Sequence, residues 1–403
     1  MIPKAADRWA ESHRRERSPL SPVWTALAAL VVLLLSGCAG LPQPGTTADR
    51  RVDQVLSAMT LRQRAAQRFI VGVPRSFGVD PAATREFATA IAGDTPAGVI
   101  LYPWNVPDRD STRRVVDKLQ AAAVSRSHGQ PLLVSADQEG GRVATFRYGD
   151  MVRLPAAAAV AGHDDLRFVE AGAYLTGVEL RSLGVNMNLA PVADLSPIAD
   201  ASIIGDRAFG GDPARVADQV RAYLDGARAA GVIATVKHFP GHGITRVDSH
   251  GRLPVVDADL ATLEATHLRP FRAAVEAGVP AVMTAHILYP QIDPQYAVTV
   301  SEVFLHDILR EEIGFRGVVV SDALSMRAMS DTYELDLILE RALRYDVDLL
   351  LLNTGFDLPE ILDRVERLVA DGRVSADDID RGVRRVLTLK ARYGLQRPGE
   401  RTP

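Results

Sequence analysis

From about residue 51 onward, short β-branched apolar runs alternate with stretches whose apolar positions recur at helical spacing. The runs predict strands at 69–72, 98–102, 132–137, 185–189, 232–237, 281–286, 317–322 and 347–352. Most are apolar at nearly every position, as parallel strands covered on both faces are. Amphipathic stretches predict helices at 111–127, 164–183, 213–230, 260–277 and 337–345, and two more helices close the chain up to Tyr393. Asp212-Pro213 provides a cap and a first-turn proline for one of them. Gly184, Gly231 and Gly278 sit just past helix ends, where C-cap glycines occur. Eight strands in strict alternation with helices predict an α/β fold, a single (β/α)8 TIM-type barrel over 52–397. A doubly wound open sheet is the alternative reading of the same pattern.

The N-terminal pattern is different. Lys4, Arg8, Arg14, Arg15 and Arg17 face only Asp7, Glu11 and Glu16, and an uncharged apolar run of 13 residues follows at 23–35. That is short for a bilayer span and has the layout of a secretory signal. It ends in Leu35-Ser36-Gly37-Cys38, which resembles the lipobox of bacterial lipoproteins. The alternative is a plain signal with an accidental cysteine. The resemblance implies a signal peptide at 1–37, lipidation of Cys38 and export to the outer face of the cytoplasmic membrane. A chain so anchored is tethered without spanning the bilayer. The Gly-, Pro- and Thr-rich stretch 38–51 reads as a flexible tether.

Composition narrows the classes. Of 403 residues, 47% are hydrophobic and 24% charged, as in ordinary globular proteins, and the net charge of −4 lacks the basic excess of a nucleic-acid binder. Without residues 1–37, 41 basic and 47 acidic residues remain, a net charge of −6. The single cysteine excludes a disulfide framework and a cysteine-ligated metal site. A monomer is expected.

In barrels of this kind the chemistry lies at the C-terminal ends of the strands. Here those ends are polar. The third runs into Asp137-Gln138-Glu139-Gly140-Gly141-Arg142, and the fourth passes Asn186 and Asn188 to Asp194. The fifth to eighth end at Lys237-His238, His286, Asp322 and Asn353. The densest stretch is Lys237-His238-Phe239-Pro240-Gly241-His242-Gly243, continuing to Asp248-Ser249-His250. Histidines four apart can ligate zinc from a helix. Pro240, Gly241 and Gly243 disfavour a helix here, so a substrate-binding strand end with a catalytic loop is the preferred reading. Asp248 beside His250 suits an acid/base pair, the carboxylate fixing the tautomer and stabilising the imidazolium. Asp322 leaves an apolar strand, which points to a functional carboxylate or to an N-cap of the next helix.

Together, Asp137-Gln138-Glu139-Gly140-Gly141-Arg142-Val143, the 237–243 segment, Asp248-Ser249-His250 and Ser321-Asp322-Ala323-Leu324 resemble glycoside hydrolase family 3. More narrowly they resemble its β-N-acetylhexosaminidase branch. The resemblance implies a retaining exo-glycosidase releasing terminal β-linked N-acetylglucosamine, with peptidoglycan fragments as substrate and no metal or other cofactor. It implies Asp322 as nucleophile and His250, paired with Asp248, as acid/base. Sugar-binding positions map to Asp137, Arg147, Arg207, Lys237 and His238. The Arg207 assignment rests on Asp206-Arg207-Ala208-Phe209-Gly210, whereas Arg142 lies close enough to compete with Arg147. Two positions depart from the family pattern: Ile244 stands where an acidic residue is usual, and Ala323 where many relatives carry a second carboxylate. The chain has little room for the additional α/β domain of larger members. A β-glucosidase, a phosphorylase and a non-catalytic sugar-binding lipoprotein are the competing functions.

Overall fold

The computed structural model describes residues 47–395, apart from 79, 126, 127, 164, 197–202, 246 and 250. Cys38 and the expected signal peptide therefore lie outside the described residues, as does His250. The first described helix, Thr47–Ala58, begins inside the stretch read as a tether.

All eight expected strands form. In chain order they are β1 (Phe69–Gly72), β2 (Gly98–Ile100), β3 (Leu133–Ala136), then a small hairpin of β4 (Gln138–Gly140) and β5 (Val143–Ala144). There follow β6 (Met187–Asn188), β7 (Ile233–Phe239), β8 (Ala281–Thr284), β9 (Val318–Ala323) and β10 (Leu349–Leu352). The sheet closes as β1-β10-β9-β8-β7-β6-β3-β2, and every pairing within it is parallel. The open sheet is thereby excluded. The hairpin was not expected, because its polar, glycine-rich sequence carries no strand pattern.

The continuous apolar runs are explained by two apolar layers. Leu349 and Leu351 join Ile70, Met187, Ile233, Met283 and Val320 in one cluster, which fills the barrel. Leu350 and Leu352 belong to the larger cluster between the strands and the helices. Alternate side chains along a strand point to opposite faces, so a barrel strand wrapped by helices is apolar on both.

Helix starts follow the capping residues. Asp212 accepts from the Arg215 N–H at 2.8 Å at the head of Pro213–Ala230, and Gly231 ends that helix with φ 70°. The helix expected over 260–277 is instead two, Leu260–Ala265 and Leu268–Glu276. Pro270 accounts for the break: it has no N–H to donate to the Thr266 carbonyl, and its ring crowds that turn. The last helix, Ala376–Arg392, seals the end of the barrel where the strands begin, with Val386 and Leu389 joining the inner cluster. Lys390 is buried there, and its Nζ donates to Gln67 Oε1 at 3.0 Å.

Candidate active site

The polar groups meet at the opposite end, where the strands finish. Lys237 near the end of β7 places Nζ 2.6 Å from Asp137 Oδ1 and 2.7 Å from Glu139 Oε1. Arg207 donates from Nε and Nη2 to both oxygens of Glu139, each at 2.8 Å. Two cations thus balance two carboxylates in a largely buried cluster. Burial pushes the Glu139 carboxyl up, but Lys237 and Arg207 outweigh it and bring it down to about 2. Burial lowers Lys237, while Asp137 and Glu139 leave it raised overall. Asp137 alone of the four keeps about a third of its side chain exposed, at 34%. It is therefore oriented by a buried cation and open to accept hydrogen bonds from ligand hydroxyls.

The two arginines near the hairpin divide the work. Arg142 donates to Asp206 Oδ1 at 2.8 Å and to the carbonyls of Ile203 and Ile204, fastening the segment that presents Arg207. Arg147 donates to the carbonyls of Ala144 and Arg142 at 3.0 and 2.7 Å. These contacts hold the hairpin and do not join Arg147 to the charge cluster.

Asp194, fully buried, organises the β7 exit. Its Oδ2 lies 2.7 Å from His238 Nδ1, and its Oδ1 accepts from the His242 N–H at 2.6 Å. Burial raises Asp194, but the fields of His238 and His242 bring it down to about 2. An ionised carboxylate can only accept, so His238 carries a proton on Nδ1. His242 is held below its ordinary value, first by burial and then by His238. Its Nε2 lies 3.1 Å from Ser249 Oγ, while its buried Nδ1 has no partner among the described residues. An orphan acceptor is tolerated better than an orphan N–H, which places the proton on Nε2. The Ala328 N–H donates to the Ser249 carbonyl at 3.1 Å. Ser249 thus pins the loop carrying Asp248 between β7 and the segment after β9. Close packing shapes the turn: a Cβ on Gly243 would lie 2.0 Å from the Leu195 carbonyl oxygen. Ile244 is partly buried against the core, so an apolar residue fits there.

Asp322 stands at the end of β9. Burial raises its carboxyl, but His238, His286, the Ala323 N–H and Lys237 together leave it below the usual carboxylate range. The next helix, Arg327–Ser330, starts after Met326 without a side-chain cap, so Asp322 is not its N-cap. His286 Nε2 lies 3.1 Å from the Ala323 carbonyl, and its Nδ1 lies 2.8 Å from Thr299 Oγ1. The carbonyl only accepts, so His286 donates from Nε2 and steadies the strand end carrying Asp322.

The carboxyl of Asp322 and the largely buried cluster of Lys237, Arg207, Glu139 and Asp137 thus lie at the same, strand-end face of the barrel. Residues 60–389 match the Glycosyl hydrolase family 3 N terminal domain. The chain belongs to glycosyl hydrolase family 3. As a member it is a glycoside hydrolase. The Beta-hexosaminidase of Stenotrophomonas maltophilia is 41% identical over 240 residues, which are 58% of this family 3 chain and 69% of the relative. A family 3 β-N-acetylglucosaminidase from a Paenibacillus species matches with TM-score 0.78 and 36% identity over 86% of this chain. The family 3 chain spans 65% of that larger protein. A β-N-acetylhexosaminidase from Beutenbergia cavernae matches with TM-score 0.75 and 31% identity over 83% of this chain and 99% of its own.

Of the expected site residues, the structure brings together Asp137, Arg207, Lys237, His238 and Asp322. Asp248 is described and exposed, and His250, expected to pair with it, lies outside the described residues. Glu139, Asp194 and Ser249 join the site, although nothing in the sequence distinguishes these three from the other residues in or beside the polar strand-end segments. The same holds for Tyr102. It ends the apolar run 98–102, and nothing in its neighbours marks it as part of the site.

Proposed function

We propose that this glycoside hydrolase is a retaining exo-β-N-acetylglucosaminidase acting on peptidoglycan fragments. The observation that carries the reading is Asp322, an ionised carboxylate at the end of a barrel strand, in the field of Lys237, His238 and His286. The names of the similar proteins support the choice of sugar. In the first step Asp322 attacks the anomeric carbon while His250, protonated and paired with Asp248, gives its proton to the leaving oxygen. In the second, neutral His250 takes a proton from water, which attacks the glycosyl–enzyme and frees Asp322. One group serves both steps because imidazole titrates near neutral pH, at about 6.5 when unperturbed. Asp137, Lys237, Arg207 and His238 hold and orient the sugar. Acyl chains on Cys38 would keep the enzyme on the outer face of the cytoplasmic membrane, where cell-wall fragments are released.

The test is turnover of aryl β-N-acetylglucosaminide against aryl β-glucoside by the purified full chain in detergent, with Asp322→Asn alongside. Preference for the acetamido sugar, lost in the variant, is expected. Preference for the glucoside would make the enzyme a β-glucosidase, and sugar 1-phosphate formed in phosphate buffer would make it a phosphorylase. No turnover of either glycoside would leave a binding protein.

A further inference from the structure

Beside the charge cluster, the loop after β2 carries an aromatic pair. Tyr102 and Trp104 stack with ring centroids 4.6 Å apart and planes 21° from parallel. Trp104 is 41% exposed, so its indole is backed by Tyr102 and open to solvent. Tyr102 follows β2 at the strand-end face of the barrel, next to β3, which runs into Asp137. Burial raises its hydroxyl first, and the charges of Asp137 and Asp322 raise it further. The Arg75 guanidinium lies 5.8 Å from the Trp104 ring centroid, near the outer limit of a cation–π contact. Arg75 is exposed and has no carboxylate partner among the described residues. The backbone leading into Arg75 is held from below. Buried Asn105 accepts from the Tyr102 N–H at 3.1 Å and donates from Nδ2 to the Pro74 carbonyl at 2.9 Å. One side chain therefore locks the loop bearing Trp104 to the residue preceding Arg75.

A supported, exposed indole offers a flat apolar face for the C–H groups of a sugar ring. An uncommitted guanidinium at its margin offers two parallel donors to a carboxylate. We propose that Trp104 and Arg75 form the subsite for the leaving-group sugar, and that they select a saccharide carrying a carboxylate. The inference rests on the N-acetylglucosaminidase reading and deepens it. Trp104 supplies contact common to any leaving sugar, and Arg75 supplies the discrimination.

The experiment compares two disaccharides with the full chain in detergent. One is N-acetylglucosaminyl-β-1,4-N-acetylmuramic acid. The other is N,N′-diacetylchitobiose, whose leaving sugar lacks the lactyl carboxylate. Arg75→Gln is expected to lower kcat/KM about tenfold for the first and to leave the second within about twofold, the size of one lost charge-assisted contact. Trp104→Ala is expected to lower both about tenfold or more. Arg75→Gln acting equally on both substrates, or on neither, overturns the inference, as does full activity of Trp104→Ala on both. Failure of the wild type to cleave aryl β-N-acetylglucosaminide overturns the function itself. Aryl turnover with the wrong disaccharide pattern overturns the subsite alone.

Discussion

Asp194 Oδ2 lies 2.7 Å from His238 Nδ1, and the same carboxylate holds the His242 backbone N–H. One buried group therefore sets the tautomer of His238 and the start of the turn that leads to Asp248. Asp194→Asn keeps the shape but removes the charge, and it can present an amide N–H to His238 in place of an acceptor. The expected result is a fall of about 10- to 100-fold in kcat/KM, the size of the loss when a metal-bound histidine is stripped of its orienting partner. Steady-state kinetics checks it, with a thermal melt to show that the variant is folded.

Ser249 is the point where the loop is fastened. Ser249→Ala deletes the contact to His242 Nε2 and leaves a buried donor unpaired. We expect a stability loss of about 1–3 kcal/mol and a larger fractional fall in kcat than in affinity. The bond lost fastens the loop to His242, whose ring neighbours that of His238, and involves none of the residues assigned to hold the sugar. Urea unfolding and a product-inhibition series with N-acetylglucosamine separate the two effects. An unchanged kcat with weakened sugar binding would count against a loop-positioning role.

Glu139 makes the site acid-sensitive. Its folded value of about 2 is below its ordinary one. Its contribution is therefore fully present above the unfolded carboxyl value near 4.3 and is lost as pH falls toward 2. Glu139→Gln removes that contribution at neutral pH and leaves Arg207 and Lys237 with fewer acceptors. Breaking a buried pair from one side costs about 3–5 kcal/mol. Melts from pH 2 to 7 should show the wild type losing stability more steeply than the variant as acid is added.

Lys390 predicts a pH dependence of opposite origin. Burial lowers its ammonium to about 7. Between pH 7 and 10.5 the unfolded chain binds a proton there that the folded chain does not, so this group makes stability rise with pH across that window. Lys390→Met should remove that rise while keeping the volume of the barrel floor. The difference between wild-type and variant melts at pH 6 and pH 10 checks it. A constant difference would mean that the lysine stays charged when folded.

The barrel was legible because its strands are apolar on both faces, so Val318, Val319 and Val320 mark a strand without help from distant residues. Asp137, Lys237, His238 and Asp322 were legible because they interrupt such runs at their ends. What escaped depends on residues far apart in sequence. Glu139 becomes part of the site only when Arg207 and Lys237 arrive from two other loops. Asp194 is one more acidic residue until β7 brings His238 beside it. Tyr102 sits among residues that read as strand, and only closure of the barrel brings it near Asp137 and Asp322. The broken helix at 260–277 was readable from Pro270, but the amphipathic pattern continues through the break and hides it.

Covalent trapping identifies the nucleophile directly. The full chain would be incubated with a 5-fluoro analogue of an activated β-N-acetylglucosaminide, digested and mapped by mass spectrometry. The expected product is one fluorosugar ester, on the carboxylate of Asp322, and none in Asp322→Asn. A label on Asp137 or another carboxylate, or turnover by Asp322→Asn at the wild-type rate, would contradict it.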